Sequence, residues 1–196
     1  MAKLYFRYGA MNSGKSTAIL QVAFNYEERG MRVLLVKPAI DTKGADTVVS
    51  RLGSKRKVDI LASSNRNLFE IITTLTGRDP LIKCVLVDEA QFLQRQHINE
   101  LFHVATQLGI PVICYGLRTD FKTQVFPGAA RLLEIAHSLE ELKTICRCGK
   151  KAILNGRKVN GTFVSEGSQV VIDGSEEVAY ESLCGNCYVN FVGTIT

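Results

Sequence analysis

The 196-residue chain has no apolar run near the roughly 20 residues that a membrane-crossing helix requires. That absence argues against a helical membrane protein and against a membrane partner. The N-terminal segment MAKLYFRYGA is too short to be a secretory leader before the first motif begins, so a cytoplasmic location is expected. No internal repeats and no low-complexity tracts are present, which excludes repeat arrays. Basic and aromatic residues do not interleave as they do in single-strand binders. The net charge of +5 is dispersed, and its densest cluster, Lys55-Arg56-Lys57, is expected on a solvated loop. No nucleic-acid partner is therefore expected. The histidines, His97, His103 and His137, fall in segments that read as helical, and none pairs with another at metal-ligand spacing. What remains is a soluble globular composition, 46% apolar and 22% charged, with room for one full domain and a small appendage.

Against these absences stands one sharp motif. Residues 9–16 read GAMNSGKS, the G-x-x-x-x-G-K-S pattern of a phosphate-cradling loop. Gly9 and Gly14 let the backbone turn its N–H groups toward phosphate oxygens, with Ala10, Met11, Asn12 and Ser13 between them. Lys15 supplies a charge for the β- and γ-phosphates, and the Ser16 hydroxyl suits Mg²⁺. An apolar run over 4–8 precedes the loop and reads as a strand. An uninterrupted helical stretch over 15–29 follows it.

Further strands are expected over 32–37, 82–87 and 111–115. Their hydrophobicity is continuous rather than alternating, the mark of strands buried on both faces of a parallel sheet. Further helices are expected over 68–76, 94–108 and 129–138, with Gly30 and Gly109 as helix stops. Strand and helix alternate, so the fold expected is α/β: a mostly parallel phosphate-loop (RecA-like) sheet flanked by helices. Residues 38–66 read as a long irregular connection. From about residue 144 the helical periodicity ends, and short β-like stretches at 151–154 and 169–172 lie between cysteines. The expected division is a nucleotide-binding domain, 1–143, and a small metal-binding domain, 144–196.

Three further clusters carry chemistry. The strand over 82–87 closes on Asp88-Glu89, placing carboxylates where the ligand crevice of an open α/β sheet lies. Asp88 suits Mg²⁺ beside Ser16, and Glu89 suits proton acceptance from a hydroxyl or from water. Cys146-x-Cys148 and Cys184-x-x-Cys187 make a four-sulfur set, read as a closed, structural zinc site, with unrelated cysteines or a redox pair as the alternative. Gly149 would help the tight first pair turn. The remaining cysteines, Cys84 and Cys114, lie in apolar strands and read as buried thiols. Residues 116–121, GLRTDF, follow another buried strand, with Phe126 beyond. Side chains there either line a pocket for a flat ring or simply pack.

GAMNSGKS, the DEAQF run at 88–92, GLRTDF and the two cysteine pairs occur in one order. In this the chain resembles the zinc-containing thymidine kinases over essentially its whole length, and bacterial members above all. The resemblance implies transfer of the ATP γ-phosphate to the thymidine 5′-hydroxyl, with Glu89 as the base. It assigns phosphate contacts to residues 9–16, Thr17, Asp88 and Gln91. It assigns the nucleoside to Met11, Asp41, Phe92, Leu117, Phe121, Phe126, Val171 and Tyr180. It also implies a "lasso" loop between the cysteine pairs that closes over thymine, a homotetramer, and inhibition by dTTP. Two departures stand out. The family's Asp-x-Arg reads Asp41-Thr42-Lys43 here, and lysine lacks the planar fork; Arg51 is the alternative. Residues 173–179 are longer than the family's glycine-rich stretch, which leaves the register at Tyr180 open. A rival reading keeps the motifs but changes the acceptor: a nucleic-acid-stimulated ATPase with a zinc ribbon, in which Glu89 activates water. A non-catalytic nucleotide sensor is a third.

Overall fold

The structure, a computed structural model, describes residues 1–39, 46–50, 53, 55–169 and 177–193. The first half runs β1 (Leu4–Tyr8), α1 (Lys15–Glu27), β2 (Arg32–Pro38), β3 (Thr47–Val49), β4 (Lys55–Lys57), β5 (Ile60–Ala62) and α2 (Leu68–Arg78). It continues with β6 (Ile82–Val87), α3 (Arg95–Gln107), β7 (Val112–Gly116), α4 (Pro127–Ile135) and β8 (Ser138–Glu141). The C-terminal part holds β9 (Thr144–Ile145), β10 (Lys151–Ala152), β11 (Leu154–Val159), β12 (Thr162–Val164), β13 (Val178–Leu183) and α5 (Gly185–Phe191).

Six strands form one parallel sheet in the order β5-β2-β6-β7-β1-β8. Its continuous apolar runs divide between two faces, as pleating requires. Leu34, Val36, Val85 and Val87 pack with Leu68, Ile72, Ile98, Leu101 and Leu132 of α2, α3 and α4. Val33, Leu35, Cys84 and Leu86 pack with Ile19 and Ala23 of α1 on the other face. The sheet is thus a middle layer covered on both sides. The expected strands and helices over 4–8, 15–29, 32–37, 68–76, 82–87, 94–108 and 111–115 all exist, with ends shifted by a few residues at most. Cys84 and Cys114 are fully buried.

Local chemistry sets the helix ends. The Asn67 side chain accepts the Glu70 N–H at 3.1 Å and caps α2. At α3, Gln94 and His97 cap each other reciprocally. Pro127 fixes the first turn of α4.

Three expectations are corrected. The connection over 38–66 is not irregular throughout. Its described part contains the antiparallel β3–β4 hairpin and β5, which extends the sheet beside β2. Strands of three residues are too short to show a period. The Lys55-Arg56-Lys57 cluster is itself β4, and Arg56 pairs with Glu27 of α1. The fourth helix covers 127–135 and not 129–138, because Ser138–Glu141 is the polar edge strand β8. His137 therefore lies outside any helix. Its Nδ1 accepts the Leu4 N–H at 3.1 Å, and its ring stacks on Phe102.

The β-like stretch at 151–154 resolves into β10 and the start of β11, whereas 170–172 lie outside the described residues. The three-stranded antiparallel sheet β12-β11-β13 and α5 share a separate small core with Cys146 and Cys184. Among the described residues, no helix is long and apolar enough to cross a membrane.

Candidate active site

The GAMNSGKS motif is a loop between β1 and α1. Asn12 (φ +65°) and Gly14 (φ +78°) take left-handed conformations, which turns the backbone inward before the helix begins at Lys15. Gly14 meets this demand without strain. The Lys15 side chain is buried against its own loop, with Nζ donating to the Ala10 carbonyl at 2.9 Å and Ser13 Oγ at 3.3 Å. Residues 11–17, Val49, Glu89 and Leu117 line a single open cleft of about 260 Å³. Gly9 and Ala10 lie behind it, in a narrow recess with Tyr8, Thr119 and Asn155.

Asp88 follows the buried end of β6 and is 5% exposed. Its N–H donates to the Val36 carbonyl at 2.9 Å, which ties the strand end to β2. Burial first, and then the neighbouring Glu89 charge, push its carboxyl up to about 7. Lys37 and Lys15 act in the opposite sense. A carboxylate held this way gains from a cation beside it.

Glu89 is half-buried and sits at φ +49°, a left-handed conformation rare outside glycine. It leads directly into the tight turn Ala90–Phe92, where the Phe92 N–H bonds back to the Glu89 carbonyl at 3.0 Å. Gln91 is fully buried and uses both ends of its amide. Nε2 donates to Glu89 Oε2 at 2.6 Å, and Oε1 accepts the Leu117 N–H at 3.0 Å. The turn packs so tightly on α4 that a Cβ at Gly128 would lie 2.3 Å from the Ala90 carbonyl oxygen.

Met11, Phe92, Leu117 and Phe126 share one apolar cluster, with the Phe92 and Phe126 rings edge-to-face at 5.4 Å. Phe121 is elsewhere. It is 1% exposed, and its ring lies under the Arg157 guanidinium, 3.8 Å from Cζ to the ring centroid. Tyr180 is half-buried on β13, directly opposite Arg157 in the β11–β13 register. Asp41 and Val171 lie outside the described residues, as do Lys43 and Arg51.

The Sγ atoms of Cys146, Cys148, Cys184 and Cys187 lie within 4.8 Å of one another. A four-thiolate zinc centre, with Zn–S of about 2.3 Å, needs sulfurs roughly 3.8 Å apart, so the set fits. The first pair turns through Gly149, whose N–H bonds to the Cys146 carbonyl at 2.9 Å. Burial opposes ionisation of the Cys146 thiol. The N–H groups of Cys148 and Cys184 and the neighbouring thiols outweigh that and bring it down to about 6. Burial and the other thiols push Cys187 up to about 12. Four thiols this close cannot all ionise without a cation between them. The cluster can hold a structural metal, and all four ligands are protein atoms.

The sequence reading missed four residues that the fold brings to this region: Lys37, Asn155, Arg157 and Ser182, each at most 5% exposed. Lys37 carried a signal, as a charge near the end of an apolar strand. The other three lie in short antiparallel strands with no motif.

Comparison with known proteins gives one consistent result. The family model described as Thymidine kinase matches residues 2–188. The chain is 48% identical over 186 residues to the Thymidine kinase of Legionella pneumophila (strain Paris), covering 94% of this chain and 88% of that protein. It is 45% identical over 194 residues to the Thymidine kinase of Shewanella oneidensis, covering 98% and 99%. It is 48% identical over 190 residues to the Thymidine kinase of Yersinia pestis, covering 96% and 95%.

Proposed function

The chain belongs to the thymidine kinase family and acts as an ATP-dependent kinase of thymidine; from that premise we propose the following division of labour. The observation that carries it is the shared cleft, in which the phosphate loop, Glu89 and Leu117 face one space. Phosphoryl transfer needs positioning and charge neutralisation more than covalent chemistry from the protein. Backbone N–H groups of the 9–17 loop, other than those of Gly9 and Met11, which bond within the protein, and the Lys15 ammonium hold the triphosphate. For Lys15 this means exchanging its bonds to Ala10 and Ser13 for phosphate oxygens. Ser16 and Asp88 are the residues to hold Mg²⁺, which when bound neutralises charge on the β- and γ-phosphates.

Glu89 accepts the proton of the thymidine 5′-hydroxyl as that oxygen bonds to the γ-phosphorus. The bond to the β-phosphate oxygen breaks, and ADP leaves with its electron pair. Gln91 fixes the Glu89 carboxylate against the Leu117 peptide. Met11, Phe92, Leu117 and Phe126 form the apolar side of the nucleoside pocket, and Asp41, Phe121, Val171 and Tyr180 complete the substrate set. Residues 1–143 act as the nucleotide-binding domain and 144–196 as a lasso domain pinned by zinc on the four cysteines. The lasso excludes water, the competing acceptor.

A cytoplasmic homotetramer inhibited by dTTP completes the proposal. dTTP carries both a triphosphate and the thymine nucleoside, so one molecule occupies both halves of the site. Light scattering tests the tetramer.

The deciding experiment incubates the protein with ATP, Mg²⁺ and one nucleoside at a time. Thymidine-dependent ADP release with dTMP formation is expected. ADP release that depends on DNA, or no release at all, would overturn the reading.

A further inference from the structure

The phosphate loop is not shaped by its own strand and helix alone. Both backbone polar groups of Met11 are taken up by the C-terminal unit. The Met11 N–H donates to Asn155 Oδ1 at 2.7 Å, and the Met11 carbonyl accepts the Ser182 hydroxyl. Asn155 and Ser182 are directly paired across β11 and β13. They are 4% and 5% exposed, so both side chains are largely withdrawn from bulk water. Asn155 also donates from Nδ2 to the Thr119 carbonyl at 3.3 Å, which fixes its amide and ties it to the segment that follows β7. A third contact, from the Thr144 hydroxyl to the Asn12 carbonyl at 3.4 Å, lies at the next peptide.

Met11 immediately precedes Asn12, whose left-handed φ of +65° begins the inward turn of the loop. Holding the Met11 peptides therefore holds the point from which the phosphate-facing N–H groups are aimed. The same strand, β13, runs into Cys184, and β11 lies between the two cysteine pairs.

We infer that Asn155 and Ser182 are positioning residues for the phosphate loop: a cross-strand clamp on Met11 by which the metal-pinned unit sets the geometry of the nucleotide site. The thymidine-closing unit and the ATP site are then linked, each biasing the other's affinity, as thermodynamic linkage demands of any such coupling. The inference rests on the assignment of residues 9–16 as the nucleotide site.

The test measures binding of a non-hydrolysable ATP analogue with Mg²⁺ to the metal-loaded protein by calorimetry, without thymidine. Two lost hydrogen bonds in the Asn155→Ala/Ser182→Ala variant should weaken analogue binding by about tenfold, with metal content unchanged. Ser182→Thr, which keeps the hydroxyl, should bind as the parent does. Stripping the metal should weaken analogue binding in the parent but produce no further loss in the double variant.

Parent-like affinity in the double variant, or a further loss on stripping its metal, overturns the inference. Should the double variant fail to hold metal, Ser182→Ala against Ser182→Thr decides: equal affinities overturn the clamp. Failure of the kinase reading would appear separately, as parent protein that binds the analogue yet forms no dTMP.

Discussion

At the sheet end, Asp88 and Glu89 follow Cys84–Val87, consecutive residues buried between two helical layers. In the C-terminal unit the buried core among the described residues is Cys146, Ala152, Leu154, Leu183, Cys184 and Tyr188, two of them cysteines. The first region is stabilised by apolar burial and needs no ligand to place its carboxylates. The second has a much smaller core, of the size that usually needs a staple, and it has a cysteine cluster that can hold a metal and contacts with its neighbour. Those contacts are specific: Tyr188 donates to the Phe121 carbonyl at 2.7 Å, and Lys122 donates to the Gly167 carbonyl at 3.0 Å. The difference teaches why the proposal divides the reaction as it does: it assigns the chemistry to the sheet end, and closure to the part whose cysteines can hold a metal.

The comparison is tested most strongly at Glu89. Glu89→Gln keeps the shape of the turn and removes the proposed base, so analogue binding should stay intact while kcat falls by about 10²–10⁴. Steady-state kinetics beside calorimetry check this. Parent-like turnover would remove Glu89 from the chemistry and leave the sheet end with no base.

Metal removal probes the other side. Structural zinc contributes on the order of 10 kcal/mol of folding free energy in small metal-pinned domains. Chelation should therefore unfold the C-terminal unit and leave the parallel sheet folded. Limited proteolysis should cut beyond residue 143 first. Thymidine affinity should fall more than ATP-analogue affinity, since the analogue meets the sheet end directly and senses the metal only through Met11. Equal losses, or unchanged thymidine affinity after verified metal loss, would break the contrast between the two regions.

Much of the sheet end was legible in the sequence because its signals are local. A phosphate loop, a strand ending in two carboxylates and continuous apolar runs all report within a few residues. The C-terminal unit was legible only at its cysteines. Its strands are short, and β8 before them, reading Ser138-Leu139-Glu140-Glu141, is a polar edge with no apolar stripe. Asn155, Arg157 and Ser182 act on backbone groups, some of them more than a hundred residues away, and no periodicity encodes that. The residues around Phe121 left pocket lining and plain packing open, and no local pattern announced that its ring would lie under the Arg157 guanidinium.

Gln91 joins the Glu89 carboxylate to the Leu117 peptide, and its loss should cost less than that of the proposed base itself. Gln91→Leu fills the same volume but leaves the Leu117 N–H buried without its acceptor and Glu89 without its donor. An unsatisfied buried group costs about 1–3 kcal/mol, so kcat should fall roughly ten- to a hundredfold. Analogue affinity should stay near the parent value. A fall in analogue affinity with kcat unchanged would move Gln91 from the base to the phosphates.

The smallest expected effect belongs to Arg157, which is rooted on β11 of the C-terminal unit. Its guanidinium donates from Nη1 to the Ser168 carbonyl and from Nη2 to the Glu166 carbonyl, both at 2.8 Å, while its face covers the Phe121 ring. It thus fixes the chain where it leaves β12 for the proposed lasso. Lysine keeps the charge but offers neither the fork nor the flat face. Losing one of the paired bonds and the stacking should cost about 1–1.4 kcal/mol, a roughly fivefold to tenfold rise in thymidine KM. ATP KM should stay within about twofold, because Arg157 makes no bond to the phosphate loop. A matching rise in ATP KM would mean that Arg157 acts through the same strands as the Met11 clamp, and that closure and phosphate geometry are one cooperative unit rather than two regions meeting at one residue.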